Sequence, residues 1–243
     1  MSAGAIFQEA LRIVVQQSLP EVSQEDVVAA LRAGGSGSLE FVYEAGAEAG
    51  LTPAQILSRG AALYFNFCAG NLADDLSDGD CSYLAEPHRI GPCTQFILQN
   101  LFFYTLANAD LPNHTLSFVA RELIRAAGPQ HVELRTNRWN KALFRQVAEG
   151  IAGRQWSAYL EILWCGTPLA DRAEFVGLNA GVAAHTVKDI QSHDLRFVTM
   201  EAADKREVVI WALTAARALH AEHLRCVDAL LSALEPALEK ALL

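Results

Sequence analysis

The chain has 243 residues, of which 51% are hydrophobic and 19% charged, which is enough apolar surface for one sizeable core. Its formal net charge of −9 argues against nucleic acid or an anionic membrane as a partner, because both require a basic face. A small anionic ligand is still compatible with this charge, since a divalent cation can reverse the local sign of a site.

Helical periodicity runs through almost the whole chain. Apolar residues recur at helical spacing, and no stretch alternates with period two for long enough to make a sheet. We therefore predict an all-α protein, a helical bundle forming one domain over residues 1–243, with about ten helices. Ser23 and Thr52-Pro53 have the character of helix starts. The predicted helices span residues 5–18, 24–33, 38–50, 53–78, 92–108, 113–127, 129–149, 154–165, 170–194 and 204–242, the last with a break near 234–236.

The cysteines and the first residues indicate a reducing compartment. The five cysteines are odd in number and form no C-x-x-C pair, so we expect free thiols and no structural zinc. Glu9 and Arg12 interrupt the N-terminal apolar stretch, and no apolar run reaches the ~18 residues that a membrane span needs. We therefore expect a cytoplasmic protein without stable membrane insertion.

An acidic cluster follows a strongly apolar stretch of the predicted helix 53–78. Residues 61–70 are apolar, and Asp74, Asp75 and Asp78 come directly after them. Asp74 and Asp78 are i and i+4, so their carboxylates project from one helix face, where like charges repel. A divalent cation between them would relieve this repulsion, and ligands that are all oxygen suit magnesium. The alternative is a solvated acidic helix end that leads into a loop.

The predicted helix 170–194 has the same design in the second half of the chain. Small and apolar residues fill the stretch from Val176, and the helix then ends in polar and charged residues around Lys188 and Asp189. Two such helices facing each other across a bundle would place their polar ends at the mouth of one cavity. A cavity of that kind fits a ligand with a charged head and a hydrocarbon tail.

Several of these segments resemble the motifs of the trans-polyprenyl diphosphate synthases, within the class I isoprenoid synthase superfamily. Asp74–Asp78 looks like their first aspartate-rich motif, and Gln130–Leu134 resembles their Gln-x-x-Asp-Leu segment. Arg154, twelve residues before Gly166, stands where the family has a lysine that touches the allylic diphosphate. Val176–Ser192 runs without a gap along their Phe-Gly-x-x-x-Gly-x-x-Phe-Gln-x-x-Asp-Asp-x-x-Asp pattern.

This resemblance implies the isoprenoid synthase fold around a central cavity, bound Mg²⁺, an allylic prenyl diphosphate as substrate and a homodimer. It implies that magnesium is bound by Asp74 and Asp78, with support from Asp75 and with Asp189 as the remaining acid of the second motif. The catalytic set is then completed by Lys188, a fixed cation that would replace one metal ion and pair with the diphosphate. The other implied substrate-binding residues are Arg154, His185, Gln130, Arg89 and Phe67.

The departures from the family pattern concern the second substrate and the second motif. Lys188 and Ser192 replace the first and third aspartates of that motif. The Gly-Gly-Lys-Arg region reads Gly-Gly-Ser-Gly-Ser at residues 34–38, and the Arg-Arg-Gly segment is reduced to His88–Gly91. Since these basic residues hold isopentenyl diphosphate in the family, we expect a non-standard acceptor. Two other functions stay open. The first is a class I terpene cyclase, although Arg196 stands where the ligand glutamate of that class belongs. The second is a non-catalytic regulatory subunit, in which Lys188 pairs with acidic residues.

Overall fold

The computed structural model describes residues 3–34 and 37–243, and every regular element in these ranges is a helix. The all-α prediction is therefore confirmed. Residues 35 and 36 of the Gly/Ser-rich segment lie outside the described residues. The chain divides into two compact units, Met1–Pro112 and Asn113–Leu243. The helices of the first unit are α1 Ala3–Gln16, α2 Glu21–Ala33, α3 Gly37–Glu48, α4 Pro53–Asp78 and α5 Pro87–Ala107.

The second unit contains seven α-helices among the described residues, and α7 runs into α8 through a π-helical turn at Glu149–Gly153. Short 3₁₀ turns at Ala170–Arg172 and Leu219–Glu222 precede α9 and follow α11. The helices are α6 Asn113–Glu133, α7 Lys141–Ala148, α8 Arg154–Trp164, α9 Ala173–Ser192, α10 Leu195–Val198, α11 Ala202–Ala218 and α12 Arg225–Lys240.

Helix α4 has the bounds that its sequence predicts. The Thr52 hydroxyl accepts a hydrogen bond from the Gln55 amide, and the Gln55 side chain in turn accepts one from the Thr52 amide, with Pro53 in the first turn. Gly79 ends the helix in the left-handed conformation, at φ +80°. Its middle, from Gly60 to Phe65, is buried, so the acidic cluster is carried by a core helix.

Helix α5 packs closely against the last turns of α4. A Cβ atom built on Gly91 would lie 2.7 Å from Cδ2 of Leu76, so only a glycine fits at this position without a shift. Leu76 belongs to the acidic segment itself, between Asp75 and Asp78. This packing holds the apolar side of the segment against α5.

Helices α8 and α9 also approach each other through glycines. A Cβ atom on Gly177 would lie 2.4 Å from the backbone of Ser157, and one on Gly181 would lie 2.5 Å from the carbonyl oxygen of Ala152. Because the residue numbers rise along α9 as they fall along α8 and the π turn, the two segments are antiparallel. Small residues in α9 thus serve a helix–helix contact.

Several predicted helix boundaries are wrong: the predicted helix 129–149 is interrupted between α6 and α7, α5 begins at Pro87, and three further differences have a clear physical reason. Helix α6 continues through Pro129, since Gly150 leaves room for the proline ring: a Cβ atom there would lie 2.1 Å from Pro129 Cγ. The last predicted helix breaks at His223, which has φ +53°, and α12 then runs through Pro236. Helix α2 begins at Glu21 after Pro20, so Ser23 lies inside the helix and is not its N-cap.

The cysteines are free thiols, as predicted: Cys93 is exposed, and the other four are buried. None of the helices in residues 3–34 and 37–243 is both long enough and apolar enough to cross a membrane.

Candidate functional site

The last turn of α4 carries the three aspartates of the acidic cluster. Asp74 and Asp75 are half-buried, whereas Asp78 is exposed. Asp74 and Asp78 are four residues apart in a regular helix, so their Cβ atoms are roughly 5–6 Å apart on one face. Phe67 is half-buried seven residues before Asp74, which places it on the same stripe of the helix, about 10 Å along the axis. The stripe therefore runs from an aromatic side chain to a pair of carboxylates.

Asp75 accepts a hydrogen bond from a tyrosine that follows α4 in the sequence. The hydroxyl group of Tyr83 donates a hydrogen bond of 2.8 Å to Oδ2 of Asp75. Burial raises the pKa of the Tyr83 phenol, and the hydrogen bond to Asp75 and the negative charge of Asp75 raise it further. The hydroxyl is thus held as a donor. Sequence reasoning missed Tyr83, although the apolar character of Cys81 and Leu84 near it was a signal in the sequence; both are buried, so this loop folds back onto the unit.

Arg89 lies at the start of α5 and points into solvent. Its guanidinium pairs with Glu86 three residues earlier, at 3.1 Å, and its side chain is 79% exposed. Pairs this exposed contribute ~0–1 kcal/mol to stability. Arg89 therefore has no structural task that fixes its side chain, and its role as a substrate ligand stays a prediction.

Lys188 and Asp189, which are neighbours near the end of α9, differ in their exposure to solvent. Lys188 is exposed, whereas Asp189 has no exposed surface. His193 ends the helix in the left-handed conformation, at φ +56°. Asp194 then begins α10 by accepting a hydrogen bond from the Arg196 amide. The chain turn therefore brings Asp194 and Arg196 back to the helix end.

Arg196 is the centre of a buried ionic cluster at this end of α9. Its Nε and Nη2 atoms donate hydrogen bonds of 2.9 Å to the two carboxylate oxygens of Asp194. The Nη2 atom also lies 3.1 Å from Oδ1 of Asp189, and Nη1 donates to Glu133 at the end of α6. The Arg196 side chain is only 10% exposed. One guanidinium is thus shared by three carboxylates.

His185 lies one helical turn before Asp189, and its ring faces that carboxylate. The Nε2 atom of His185 is 3.6 Å from Oδ2 of Asp189, and neither atom has a hydrogen-bond partner among the described residues. Burial lowers the pKa of His185 to about 3, and the charges of Arg196 and Lys188 lower it as well. Burial raises the pKa of Asp189 to about 7, against the opposing effect of the Arg196 charge. The imidazole is therefore neutral at physiological pH.

Arg154 is held by a second ionic cluster in the same unit. Its Nη1 atom donates a 2.8 Å hydrogen bond to Oε2 of Glu122, which is 1% exposed and also accepts from Arg121 and Arg125. Glu122 and Glu133 are eleven residues apart in α6, which corresponds to about 16 Å along the helix. The structure therefore does not bring Arg154 together with Lys188 and Asp189. Gln130, which is half-buried near the end of α6, lies closer to the Arg196 cluster along that helix.

Comparison with solved structures identifies the architecture of this chain. Neither protein-family profiles nor curated protein sequences match this chain. Solved structures do: a geranyltranstransferase from Thermotoga maritima superposes with a TM-score of 0.77 at 15% identity, over 97% of this chain and 96% of that chain. An isoprenoid synthase family member from Thermotoga neapolitana gives 0.74 at 14% identity, over 96% and 98%. This chain has the isoprenoid synthase fold.

A further structure with this isoprenoid synthase fold was solved with ligands. It is a geranyltransferase from Helicobacter pylori complexed with magnesium and isoprenyl diphosphate, with a TM-score of 0.64 and 13% identity, over 97% of this chain and 96% of that chain. At these identities the similarity establishes the fold, and the chemistry of this chain has to be argued from its own residues.

The end of α4 and the end of α9 differ in how well their residues suit the magnesium that is expected in an isoprenoid synthase fold. The carboxylates of Asp74 and Asp78 fit, because magnesium commonly takes one or two protein carboxylates and completes its shell with water and phosphate oxygens. At the end of α9 the residues do not fit, because Lys188 offers only donors and Asp189 is bound to a guanidinium. Throughout residues 3–34 and 37–243, no group of three or more acidic, histidine or cysteine side chains is arranged to hold a metal ion.

Most of the predicted site residues lie in two groups in the isoprenoid synthase fold. Asp74, Asp75, Asp78 and Phe67 lie in the second half of α4 in the first unit. Lys188, Asp189 and His185 share the end of α9 in the second unit, apart from Arg154. That the ends of α4 and α9 meet at one cavity stays a prediction, as does the single domain.

Proposed function

We propose that this protein is a magnesium-dependent prenyltransferase-type enzyme that binds and ionises an allylic isoprenoid diphosphate. The observation that carries the proposal is the stripe on α4, where Asp74 and Asp78 end a buried helix of an isoprenoid synthase fold above the aromatic ring of Phe67. Carboxylates for a metal and an apolar wall for a hydrocarbon are what an amphiphilic diphosphate requires. We expect the enzyme to work in the cytoplasm.

Asp74 and Asp78 would hold the magnesium, and Asp75, oriented by Tyr83, would support them. Bound magnesium neutralises the diphosphate and stabilises departing pyrophosphate. Lys188 would pair with diphosphate oxygens directly, as a side-chain cation. Phe67 and the apolar residues around it would exclude water from the allylic carbocation, which water would otherwise quench. Each role is thus assigned to a residue whose local geometry permits it.

The acceptor in this proposal is not ordinary isopentenyl diphosphate. In the resembling synthases, basic residues near the positions of Gly34–Ser38 and His88–Gly91 hold that second substrate. Here the only basic candidates in these two segments are His88 and Arg89. Arg89 is 79% exposed and pairs with Glu86. A second anionic substrate would therefore find little positive charge there.

Purified protein with magnesium should release pyrophosphate from geranyl, farnesyl or geranylgeranyl diphosphate. The assay is run with each donor alone, with isopentenyl diphosphate and with a panel of nucleophilic acceptors, and the products are analysed by mass spectrometry. Release with no elongation of isopentenyl diphosphate supports the proposal. A cyclic hydrocarbon from one donor alone would instead make the protein a terpene cyclase. The absence of pyrophosphate release under every condition would contradict enzyme function.

One set of contacts favours a second candidate, a non-catalytic subunit of a prenyl synthase. Asp189 is bound to Arg196, and Arg154 is bound to Glu122, so two predicted site residues serve internal ion pairs. A partner subunit would tolerate both arrangements. This candidate predicts a stable complex with an active synthase, and it predicts that Asp74→Ala leaves the activity of that complex unchanged.

We also propose a homodimer formed through α5. Phe96 and Phe103, seven residues apart on one stripe of the helix, are 67% and 52% exposed, and Tyr104 beside them is 52% exposed. Exposed aromatic side chains grouped along one helix in this way are typical of contact surfaces. A second copy of the chain would bury them.

A further inference from the structure

The ionic cluster at the end of α9 has the composition of a cation site. Asp189, Asp194 and Glu133 all direct carboxylate oxygens at one guanidinium group, at 3.1 Å for Asp189 and 2.9 Å for Asp194. The three carboxylates come from three separate segments: α9, the turn before α10, and the end of α6. Three carboxyl groups are thus gathered around one guanidinium group.

This arrangement depends on a cation in the middle. Asp189 has no exposed surface, and the Glu133 side chain is 14% exposed, so solvent screens their repulsion poorly. Without the guanidinium, the buried carboxylates would be uncompensated or would have to take up protons, which is unfavourable. The guanidinium is therefore the positive charge that keeps these carboxyl groups ionised in the folded protein.

Two further polar atoms at this end of α9 lack a hydrogen-bond partner among the described residues. They are His185 Nε2 and Asp189 Oδ2, which face each other at 3.6 Å. Both side chains are at least nine-tenths buried, with 9% and 0% exposed. Two ligand atoms at ~2.1 Å from one metal ion in tetrahedral geometry are ~3.4 Å apart. The pair is thus spaced like two ligands of a single ion.

We infer that Arg196 is a built-in counter-cation that takes the place of a divalent metal ion beside Asp189, Asp194 and Glu133, which are not arranged to hold a metal ion in the wild-type protein. With Arg196 in place, this end of α9 takes up no divalent ion, because the guanidinium satisfies the carboxylates and repels a second cation. Removal of the guanidinium opens the site to a hard or borderline ion such as Mn²⁺. Any metal that the wild-type protein binds is then bound elsewhere, and the inference does not depend on the proposed reaction.

Mn²⁺ binding to the full chain tests this directly. Asp74→Asn/Asp78→Asn first removes the metal site proposed on α4, and this parent is titrated with Mn²⁺ while the free ion is measured by electron paramagnetic resonance. We expect no saturable binding to the parent and one equivalent after addition of Arg196→Ala. Further addition of Asp189→Asn should abolish that equivalent. Arg172→Ala is the matched control, because Arg172 pairs with a single carboxylate, that of Glu222, at 2.8 Å, and its removal should create no site.

A second substitution covers the case in which Arg196→Ala does not fold. Arg196→Gln removes the charge but keeps hydrogen-bond donors, and Mn²⁺ should raise its melting temperature or restore its helical circular dichroism. The inference is wrong if the parent already binds an equivalent of Mn²⁺ that Asp189→Asn abolishes. It is equally wrong if Mn²⁺ neither binds to nor refolds either Arg196 variant. A wild-type protein that ionises no allylic diphosphate would contradict the proposed function alone.

Discussion

The hydroxyl of Tyr83 lies 2.8 Å from Oδ2 of Asp75, and this contact fixes the orientation of one carboxylate of the acidic cluster of α4. Asp75 is oriented by a donor from its own unit. Asp74 and Asp78 lie on the face of α4 that also carries Phe67. This arrangement agrees with the separate tasks that we propose for the three aspartates, with Asp74 and Asp78 as metal ligands and Asp75 as their support.

Tyr83→Phe should weaken metal-dependent ligand binding without unfolding the protein. The substitution removes the donor that orients Asp75 but keeps the aromatic ring, and loss of a group that supports metal ligands typically costs 10–100-fold in affinity. We expect about a 10-fold weaker Mg²⁺-dependent affinity for an allylic diphosphate analogue, measured by calorimetry. Tyr104→Phe, at an exposed position on α5, is the control and should change nothing. Equal affinities for both variants would show that Tyr83 does not support the site.

Glu122 should make the stability of the protein depend on pH. Burial alone would raise its pKa, but the hydrogen bonds from Arg154 and Arg121 and the nearby charges outweigh it and hold the pKa below the ordinary value of 4.5. A carboxyl group with a lowered folded pKa contributes stability above its unfolded pKa and loses it as the pH falls through the folded one. Glu122→Gln should therefore cost ~1–3 kcal/mol at pH 7, and this cost should shrink below about pH 4.5.

Urea denaturation of wild type and Glu122→Gln between pH 7 and 3 measures this effect. Glu174→Gln is the control, because Glu174 is 59% exposed and lies 3.9 Å from Arg154, so it should have little effect at any pH. A difference between wild type and Glu122→Gln that stays constant down to pH 3 would contradict the assignment.

The contact between α8 and α9 should tolerate no side chain at Gly177. An alanine Cβ there would lie 2.4 Å from backbone atoms of Ser157, so the two helices would have to separate. We expect Gly177→Ala to destabilise the protein by ~1–3 kcal/mol, measured by thermal unfolding. Gly60→Ala is the comparison, because the three atoms nearest to its Cβ all belong to the side chain of Ile6, the first at 2.9 Å, and α4 gains helix propensity. A larger destabilisation by Gly60→Ala than by Gly177→Ala would contradict the close backbone contact between α8 and α9.

The proposed dimer predicts a measurable change in mass. Wild-type protein should run as two chains in light scattering coupled to size exclusion, and Phe96→Ser/Phe103→Ser should run as one. Val22→Ser removes another apolar side chain that is 68% exposed, on α2, and should leave the dimer intact. A monomeric wild type, or a double variant that stays dimeric, would contradict the α5 interface.

Local signals in the sequence determined much of the fold. The cap at Thr52-Pro53 and the stop at Gly79 predict the bounds of α4, and helical periodicity predicts the all-α class. The same reasoning ended α6 too early, because a proline normally breaks a helix. That Pro129 is accommodated depends on Gly150, twenty-one residues away in the sequence, and such tertiary compensation has no local signature.

The acidic clusters at the ends of α4 and α9 also differ in how far local sequence predicts them. The α4 cluster could be predicted, because its three aspartates and the apolar helix before them are contiguous. The cluster around Arg196 could not, because its Glu133 partner is sixty-three residues away. The Asp194-x-Arg196 spacing at the start of α10 was the one nearby signal, and it indicates a helix cap before it indicates a counter-cation.

The central claim is that Asp74 and Asp78 hold magnesium against an allylic diphosphate. Calorimetry with a non-ionisable allylic diphosphate analogue, with and without Mg²⁺, tests it most directly, on wild type, Asp74→Asn/Asp78→Asn and the control Asp80→Asn, an exposed aspartate beyond the helix. We predict that wild type and Asp80→Asn bind the analogue only with Mg²⁺ and that the double variant does not bind it. Mg²⁺-dependent binding of equal affinity in all three proteins would contradict the account.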